Sequence, residues 1–394
     1  MKTITSNPPV RRWETDRTGA PRSNDVDDIV RRRTRRRRRW KQVIHVVYPT
    51  GGGRIALRTE ENWDSNVEAN AIEQDGCVSE FQIETQRPYF YFKPVLLRDE
   101  ATLWSRKDFL AVATSGAALE IYPYFREDTR FSVSELMEPL PSPSGAQNRF
   151  RVFLPPSYDE NTLKKYPVLY MHDGHNLFFK EEAFLGKTWK TDEVLHLLDN
   201  MNATEGVIVV GIYPNDRMKE YTLPGYEDYG RFLVETLKPA IDTHYRTLPG
   251  PTNTAVMGSS LGGVVSFYLG WQWPEVFGKV ACLSSTFTHQ DNLLERISAE
   301  PKRPLRIYLD SGWPGDNYEA TRSMRDQLIW KGYRPGSELF YLAFPEAKHD
   351  ENAWAARSPI PFQFLFGKLP VFSKPSRSRQ RFTSRHVPDP KRDL

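Results

Sequence analysis

The stretch VMGSSLGGVV, Val256 to Val265, sets two adjacent serines among glycines. Only Ser260 satisfies the spacing G-x-S-x-G, through Gly258 and Gly262. That spacing has a mechanical meaning. A chain that turns sharply from strand into helix brings the two elements almost into contact, and glycines two residues either side of the turn remove the clash. The residue at the turn is forced into a strained backbone conformation that exposes its Oγ. The next N–H, that of Leu261, then sits at a helix N-terminus and points to where oxyanion charge would develop. Composition alone produces such a frame in roughly one chain in ten of this size. What gives it weight is context: the apolar strand TAVM precedes it and the apolar helix LGGVVSFYLGW follows.

A serine nucleophile on this kind of turn needs an acid and then a histidine further along the chain. The histidines after Ser260 are His289, His349 and His386. His386 falls in a basic tail, and His289 comes before two more strands are built. His349 lies in the polar loop PEAKHDENAW, after the strand-like ELFYLAF and before the last helical pattern, where a general base would project over the turn. The acid is expected at Asp310, which closes PLRIYLD ahead of Ser311–Gly312 and is placed to accept from the imidazole Nδ1–H. Asp316 is the competing carboxylate; it reads otherwise as a helix N-terminal residue near Tyr318. The second oxyanion donor is expected in YPVLYMHDGHNLF, from the N–H of Gly174 or its neighbour. His172 and His175 flank that turn and raise a metal alternative, but no further ligands at metal spacing accompany them, so loop polar contacts are expected. His175, Trp189, Trp313 and Trp354 are candidate pocket residues. The chemistry requires no metal and no organic cofactor.

The elements that must position these residues are legible as texture. Residues 1–40 are polar and rich in turn formers, and read as a disordered basic arm. From 41 to 138, KQVIHVVYP, GRIALRT, SEFQIET and YFYFKPVLL read as short strands separated by turn signals, which indicates a small β-sandwich. From 139 to 369, strands FRVFLP, YPVLYM, VIVVGI, TAVM, KVACLSS, PLRIYLD and ELFYLAF alternate with helical patterns. Such alternation calls for a mostly parallel, doubly wound sheet covered on both faces. Residues 370–394 read as a second disordered basic tail.

Composition narrows the rest. The chain has 394 residues, 54 basic against 50 acidic, and a formal charge of +4. Eight arginines fall in the nine positions Arg31 to Arg39. A nucleic-acid or anionic-surface contact is one reading of this run; a self-repelling solvated arm is the other, favoured because no aromatic or glycine residues interleave with it. Cys77 and Cys282 are the only cysteines, which argues against a disulfide framework or a zinc site. No apolar run approaches the length of a membrane span, and the first residues lack a secretory apolar core, so the expected location is cytoplasmic.

Taken together, YPVLYMHDGHNLF, TWKTDEVL, VIVVGIYPNDR, EYTLPGYEDYGRFLVETLKPAIDTHYRTL, TAVMGSSLGGVVSFYLG, YLDSG and HDENAWAARSP resemble an esterase family of α/β-hydrolases. That family contains enterochelin (siderophore) esterases, feruloyl and acetyl-xylan esterases, S-formylglutathione hydrolases and mycolyltransferases. The resemblance covers roughly residues 148–367 and implies an α/β-hydrolase fold, with nucleophile, acid and base on positions matching Ser260, Asp310 and His349. The enterochelin-esterase branch is the most similar, because a β-sandwich precedes its catalytic domain. LRTEENWD, YFYFKPVLL and Trp104 also resemble starch- or glycogen-binding modules, which implies that Trp63 and Trp104 stack on a sugar ring or else are core residues. The expected activity is hydrolysis of a small-molecule carboxylic ester through an acyl-enzyme. Alternatives are acyl transfer by the same residues, or a glycan-binding scaffold with a silent hydrolase domain.

Overall fold

The computed structural model describes residues 39–142, 145 and 147–368. The arm expected over 1–40, apart from Arg39 and Trp40, and the tail expected over 370–394 lie outside the described residues, as does all of the Arg31–Arg39 run but Arg39 itself.

The first part of the chain is strand-rich. Its strands are β1 (Trp40–Val47), β2 (Arg54–Thr59), β3 (Asn62–Val67), β4 (Ala71–Glu73), β5 (Val78–Thr85), β6 (Phe90–Arg98), β7 (Ala101–Trp104), β8 (Phe109–Ala111) and β9 (Leu119–Ile121). They form one sheet in the order β4-β5-β1-β9 and a second in the order β3-β2-β6-β7, with β8 also on β6. Alternation in β1 turns Gln42, Ile44 and Val46 inward. Those two aliphatics meet Ile55, Leu57, Phe81, Phe90, Phe92 and Phe109 in a shared core, as the period-2 side-chain rule requires.

The second part builds an eight-stranded sheet. Its strands are β10 (Ser132–Val133), β11 (Phe150–Leu154), β12 (Val168–Met171), β13 (Ile208–Ile212), β14 (Thr254–Ser259), β15 (Lys279–Leu283), β16 (Arg306–Trp313) and β17 (Leu339–Pro345). Their order is β10-β11-β13-β12-β14-β15-β16-β17. Pairing is parallel from β13 through β17, and β11 runs antiparallel to β13. Strands β12, β13 and β14 are buried at every position, because both faces are covered. Val168 and Tyr170 of β12 point into one apolar cluster, and Leu169 and Met171 into the other. Helices α1 (Thr191–Asn200), α2 (Arg217–Glu220), α3 (Gly225–Phe232), α4 (Lys238–His244), α5 (Leu261–Gln272), α6 (Leu293–Ala299), α7 (Tyr318–Trp330), α8 (Glu351–Arg357) and α9 (Pro359–Phe366) complete the layers. A π-turn over Leu233–Leu237 joins α3 to α4.

The structure moves one expected boundary. Ser132–Val133, read as part of the sandwich that was to run to 138, instead pairs with β11 of the large sheet. Arg151 Nη1 donates to the Ser134 carbonyl (2.7 Å) and the Ser134 hydroxyl accepts from Val152 N–H (3.0 Å), which fastens this segment to β11. Among the described residues no helix is long and apolar enough to cross a membrane. Trp63 and Trp104 are 39% and 38% exposed, but the Arg58 guanidinium lies 4.7 Å above the Trp104 ring and so already covers one of its faces.

Polar anchors join the two parts. Glu160 accepts from Tyr48 OH (3.0 Å), Phe125 N–H (2.6 Å) and Thr129 Oγ1 (2.8 Å), and Asn161 donates to the carbonyls of Val47 and Pro123 (both 2.9 Å). Lys107 reaches Asp199 of α1 at 2.6 Å with both side chains buried. Breaking one side of a buried pair leaves a charge uncompensated, which costs about 3–5 kcal/mol, whereas replacing both sides by apolar groups is far milder. Lys107→Met is therefore expected to lower stability by that amount in urea unfolding, and Lys107→Met/Asp199→Leu to recover most of it; equal losses in both variants would contradict this account of the contact.

Candidate active site

β14 passes into α5 with almost no room between them. A Cβ added to Gly258 would stand 2.5 Å from the Gly262 carbonyl oxygen, and one added to Gly263 would stand 1.9 Å from Ser285 Oγ. Between them Ser260 adopts φ 57°, ψ −124°, a conformation that costs a side-chain-bearing residue about 1–3 kcal/mol. Its N–H donates to the Leu283 carbonyl (2.9 Å), so β15 holds the strained residue in place. Ser259 is buried on the strand, while Ser260 is partly exposed. Leu261 opens α5, and N–H groups in a first turn have no intrahelical acceptor.

Five consecutive parallel strands deliver loops to this same edge: β12 leads into His172–Gly174, β14 into Ser260, β15 into Ser284–Thr286, β16 into the turn holding Asp316, and β17 into His349. The structure departs here from the expected acid. His349 Nδ1 lies 2.6 Å from Asp316 Oδ1, and Asp310 makes no contact with it. The reason is strand length. β16 does not end at Asp310 but runs on to Trp313, with Asp310 opposite Leu342 and Trp313 opposite Pro345 of β17. Asp310 is thus inside the sheet and fully buried. Its Oδ2 accepts from Tyr308 OH (2.8 Å), and Oδ1 lies 3.1 Å from Arg357 Nη2. The turn beyond the strand swings Asp316 back over the edge, where its Oδ2 accepts from Gly312 N–H (2.8 Å). A Cβ at Gly312 would meet the Ala347 carbonyl oxygen at 2.0 Å, so this glycine lets the acid's turn lie against the loop of His349.

A residue the sequence did not single out fixes the protons. Ser284 Oγ lies 2.5 Å from Asp316 Oδ2, and it receives Trp354 Nε1–H (3.0 Å) and Arg357 Nη2–H (2.6 Å). Indole and guanidinium nitrogens can only donate. Both serine lone pairs are therefore taken, and its one proton must go to Asp316. An ionised Asp316 accepts at both oxygens, so that Nδ1 of His349 is the nitrogen that donates to it. Burial pushes the Asp316 carboxyl up, but the hydrogen bonds from His349, Ser284 and Gly312 outweigh it and hold the carboxyl below the usual range. Asp310 goes the other way: burial pushes it up to about 6 against the opposing pull of Arg357 and Tyr308.

A family model described as "Putative esterase" matches residues 144–357, more than half of the chain. The chain belongs to this esterase family. Uncharacterized protein YbbA of Bacillus subtilis is 24% identical over 246 residues, covering 56% of this chain and 93% of its own. Iron(III) enterobactin esterase of Escherichia coli is 26% identical over 148 residues, covering 34% of this chain and 35% of its own. A ferulic acid esterase structure superposes with a TM-score of 0.51 at 16% identity, covering 61% of this chain and 98% of that one. The enterobactin esterase of Shigella flexneri, solved in the presence of enterobactin, gives a TM-score of 0.50 at 18% identity, covering 82% and 92%. These structural likenesses establish the α/β-hydrolase fold.

The remaining expected site residues of the esterase separate by burial. Trp189 and Trp354 are buried and pack on each other (5.9 Å between rings), and the Trp354 ring meets His349 edge-on at 5.0 Å. Trp354 forms the bed of the histidine, with Trp189 packed behind it, and neither is an open pocket wall. Trp313 is 46% exposed at the end of β16, and His175 is half-buried with its ring 6.0 Å from that of Tyr213. Gly174 packs against β13, where a Cβ would meet the Gly211 carbonyl carbon at 2.6 Å. Just before it Asp173 takes φ 55°, and its carboxylate grips Arg217 with two hydrogen bonds of 2.8 and 2.9 Å.

His172 faces inward. Its Nδ1 bonds Tyr229 OH (2.9 Å) and its ring meets that of Tyr221 edge-on at 5.3 Å, while a Cβ on Gly262 would lie 3.3 Å from its Cβ. Burial pushes the imidazole down to about 3, so between about pH 3 and 6.5 it stays neutral in the folded esterase while an unfolded histidine is charged. Because the folded value is the lower one, the stability this adds is complete above about pH 6.5 and is lost as pH falls toward 3, at about 1.4 kcal/mol per pH unit. Urea unfolding of wild type and His172→Phe at pH 7 and pH 4.5 checks this: the acid-induced loss is expected to be about 2–3 kcal/mol smaller in the variant, and parallel losses would refute the assignment.

Proposed function

We propose that the chain is a serine esterase acting on a carboxylic ester through Ser260, His349 and Asp316. His349 Nε2 takes the proton of Ser260 as Oγ attacks the acyl carbon. Charge on the tetrahedral oxygen is met by the N–H of Leu261 and by an N–H of the loop after β12, at Gly174 or its neighbour. His349 returns the proton to the departing alkoxide, which leaves an acyl-enzyme. Water then attacks the acyl carbon, with the same histidine as base, and Ser260 is released. Asp316 remains ionised throughout, holds the imidazole tautomer and stabilises the imidazolium.

The observation that carries this reading is the strained backbone of Ser260 (φ 57°) at a strand-to-helix junction. Strain at an unreactive turn would be removed by placing glycine there. The short His349–Asp316 hydrogen bond on the same sheet edge supports it from a second direction. Ferulic acid esters and enterobactin are the first substrates to assay, because structural neighbours are named as esterases of these compounds. Exposed Trp313 and half-buried His175 are the side chains we assign to substrate contact.

Ser260→Ala is expected to lower kcat on p-nitrophenyl acetate by about five to six orders of magnitude and to abolish labelling by a fluorophosphonate. Asp316→Asn is expected to cost about four orders of magnitude. Full activity or full labelling of the Ser260→Ala protein would end the proposal, and a silent Asp316→Asn substitution would remove this carboxylate from it.

A further inference from the structure

We propose that Arg357, held by Asp310, is a positioning residue that orients and charges the acid of the site, and that Asp310 sets the pH range in which the base works. The proposal rests on the reading of Ser260, His349 and Asp316 given above.

Arg357 closes α8 and is only 4% exposed. Its guanidinium stands between two carboxylates, 3.1 Å from Asp310 Oδ1 and 3.8 Å from Asp316 Oδ2. One Nη2–H goes to Ser284 Oγ, the hydroxyl whose proton is thereby directed to Asp316. Nε and Nη1 have no hydrogen-bond partner, and neither does Asp310 Oδ1. Such a pair is poorly built for stability, since buried ion pairs with incomplete hydrogen bonding are no better than apolar side chains of the same size. Its location gives it a different use.

Consider the charges. Asp310, Arg357 and Asp316 sum to −1 when both acids are ionised. When His349, whose own side chain is exposed, accepts the proton of Ser260 the cluster becomes neutral, so the buried −1 beneath it favours the imidazolium at the moment the reaction needs it. With Asp310 neutral, the same step would leave a net +1, which burial disfavours. The groups that face Asp310 are Tyr308 from its own strand, Cys282 from β15, Arg357 from α8, and Asp316 across the turn. Asp316 in turn faces His349, Ser284 and Arg357. Beside the base, Lys187 pairs with Asp350 (3.6 Å) and adds no net charge.

The two members of the buried pair therefore push the base in opposite directions. Removing the positive charge favours the imidazolium, and removing the negative charge disfavours it. In profiles of kcat/KM against pH on p-nitrophenyl acetate, the acid limb of Arg357→Met is expected to move up by ~0.5–1 pH unit, and that of Asp310→Asn to move down by a similar amount. The double variant should return to within ~0.3 unit of wild type, as should Arg357→Lys, which keeps the charge but loses the fork and so has a lower kcat. Ser284→Ala, a small change that leaves the pair intact, should lower kcat by about tenfold. A purely structural role would shift both limbs together or neither, and that result would overturn the inference, as would a loss in Asp310→Asn as deep as that of Ser260→Ala. If single variants fail to fold, the double variant, Arg357→Lys and Ser284→Ala still decide the matter: a wild-type kcat in both Arg357→Lys and Ser284→Ala refutes it. Retained activity in Ser260→Ala would instead bring down the esterase reading on which all of this stands.

Discussion

The near-contact between β14 and α5 is the constraint around which the catalytic part is organised. Gly258 and the Gly262 carbonyl are so close that a Cβ at Gly258 would stand 2.5 Å from that oxygen, so strand and helix can meet this way only without a side chain there. The whole strain of the turn consequently falls on Ser260, which is tied to β15 through the Leu283 carbonyl. A parallel sheet makes this arrangement economical. Every parallel strand ends on the same edge, so the turn of Ser260 and the loops of Asp316 and His349, which follow β14, β16 and β17, open on one side of the sheet without any of them being long.

The second organising fact is a matter of donors and acceptors. Ser284 is short, buried and carries one proton, and two obligate donors fill its lone pairs. That arithmetic fixes the direction of the hydrogen bond from Ser284 to Asp316, the carboxylate that His349 meets at its other oxygen. The neighbouring tryptophan serves twice, donating through Nε1 to Ser284 and presenting its ring to the imidazole. Packing and polarity at this site are therefore the same interaction seen from two sides.

The strand-rich part is fastened to the hydrolase fold by polar groups that are nearly all satisfied. Glu160 and Asn161 follow β11 closely in the chain and accept or donate across to the carbonyls, N–H groups and hydroxyls of the first part. Buried carboxylates and amides with full sets of partners give a specific docking geometry at modest net energy. The exposed Trp104 of β7, by contrast, is covered on one face by Arg58.

How much of this was legible from residues alone follows from the range of the forces involved. The Ser260 frame is a local steric rule, so the sequence identifies the turn, the glycines and even the choice between adjacent serines. The alternation of apolar strands with amphipathic helices is local too, and it specifies the layered sheet. Strand ends are not local. PLRIYLD reads as finished at Asp310 because Ser-Gly follows, yet pairing with β17 carries the strand three residues further. That extension buries Asp310 and hands the imidazole to Asp316. The signal was present in HDENAWAARSP, since a buried arginine requires a carboxylate, but only packing reveals that Arg357 is buried. Ser284 and the third glycine, Gly263, were invisible for the same reason: a hydroxyl or a missing Cβ gains meaning only from what lies opposite. The sequence by itself determined which residue sits at the strained turn, because sterics between neighbours along the chain decide it. The tertiary structure alone decided which carboxylate faces the base, because burial and charge pairing join residues that the chain keeps far apart.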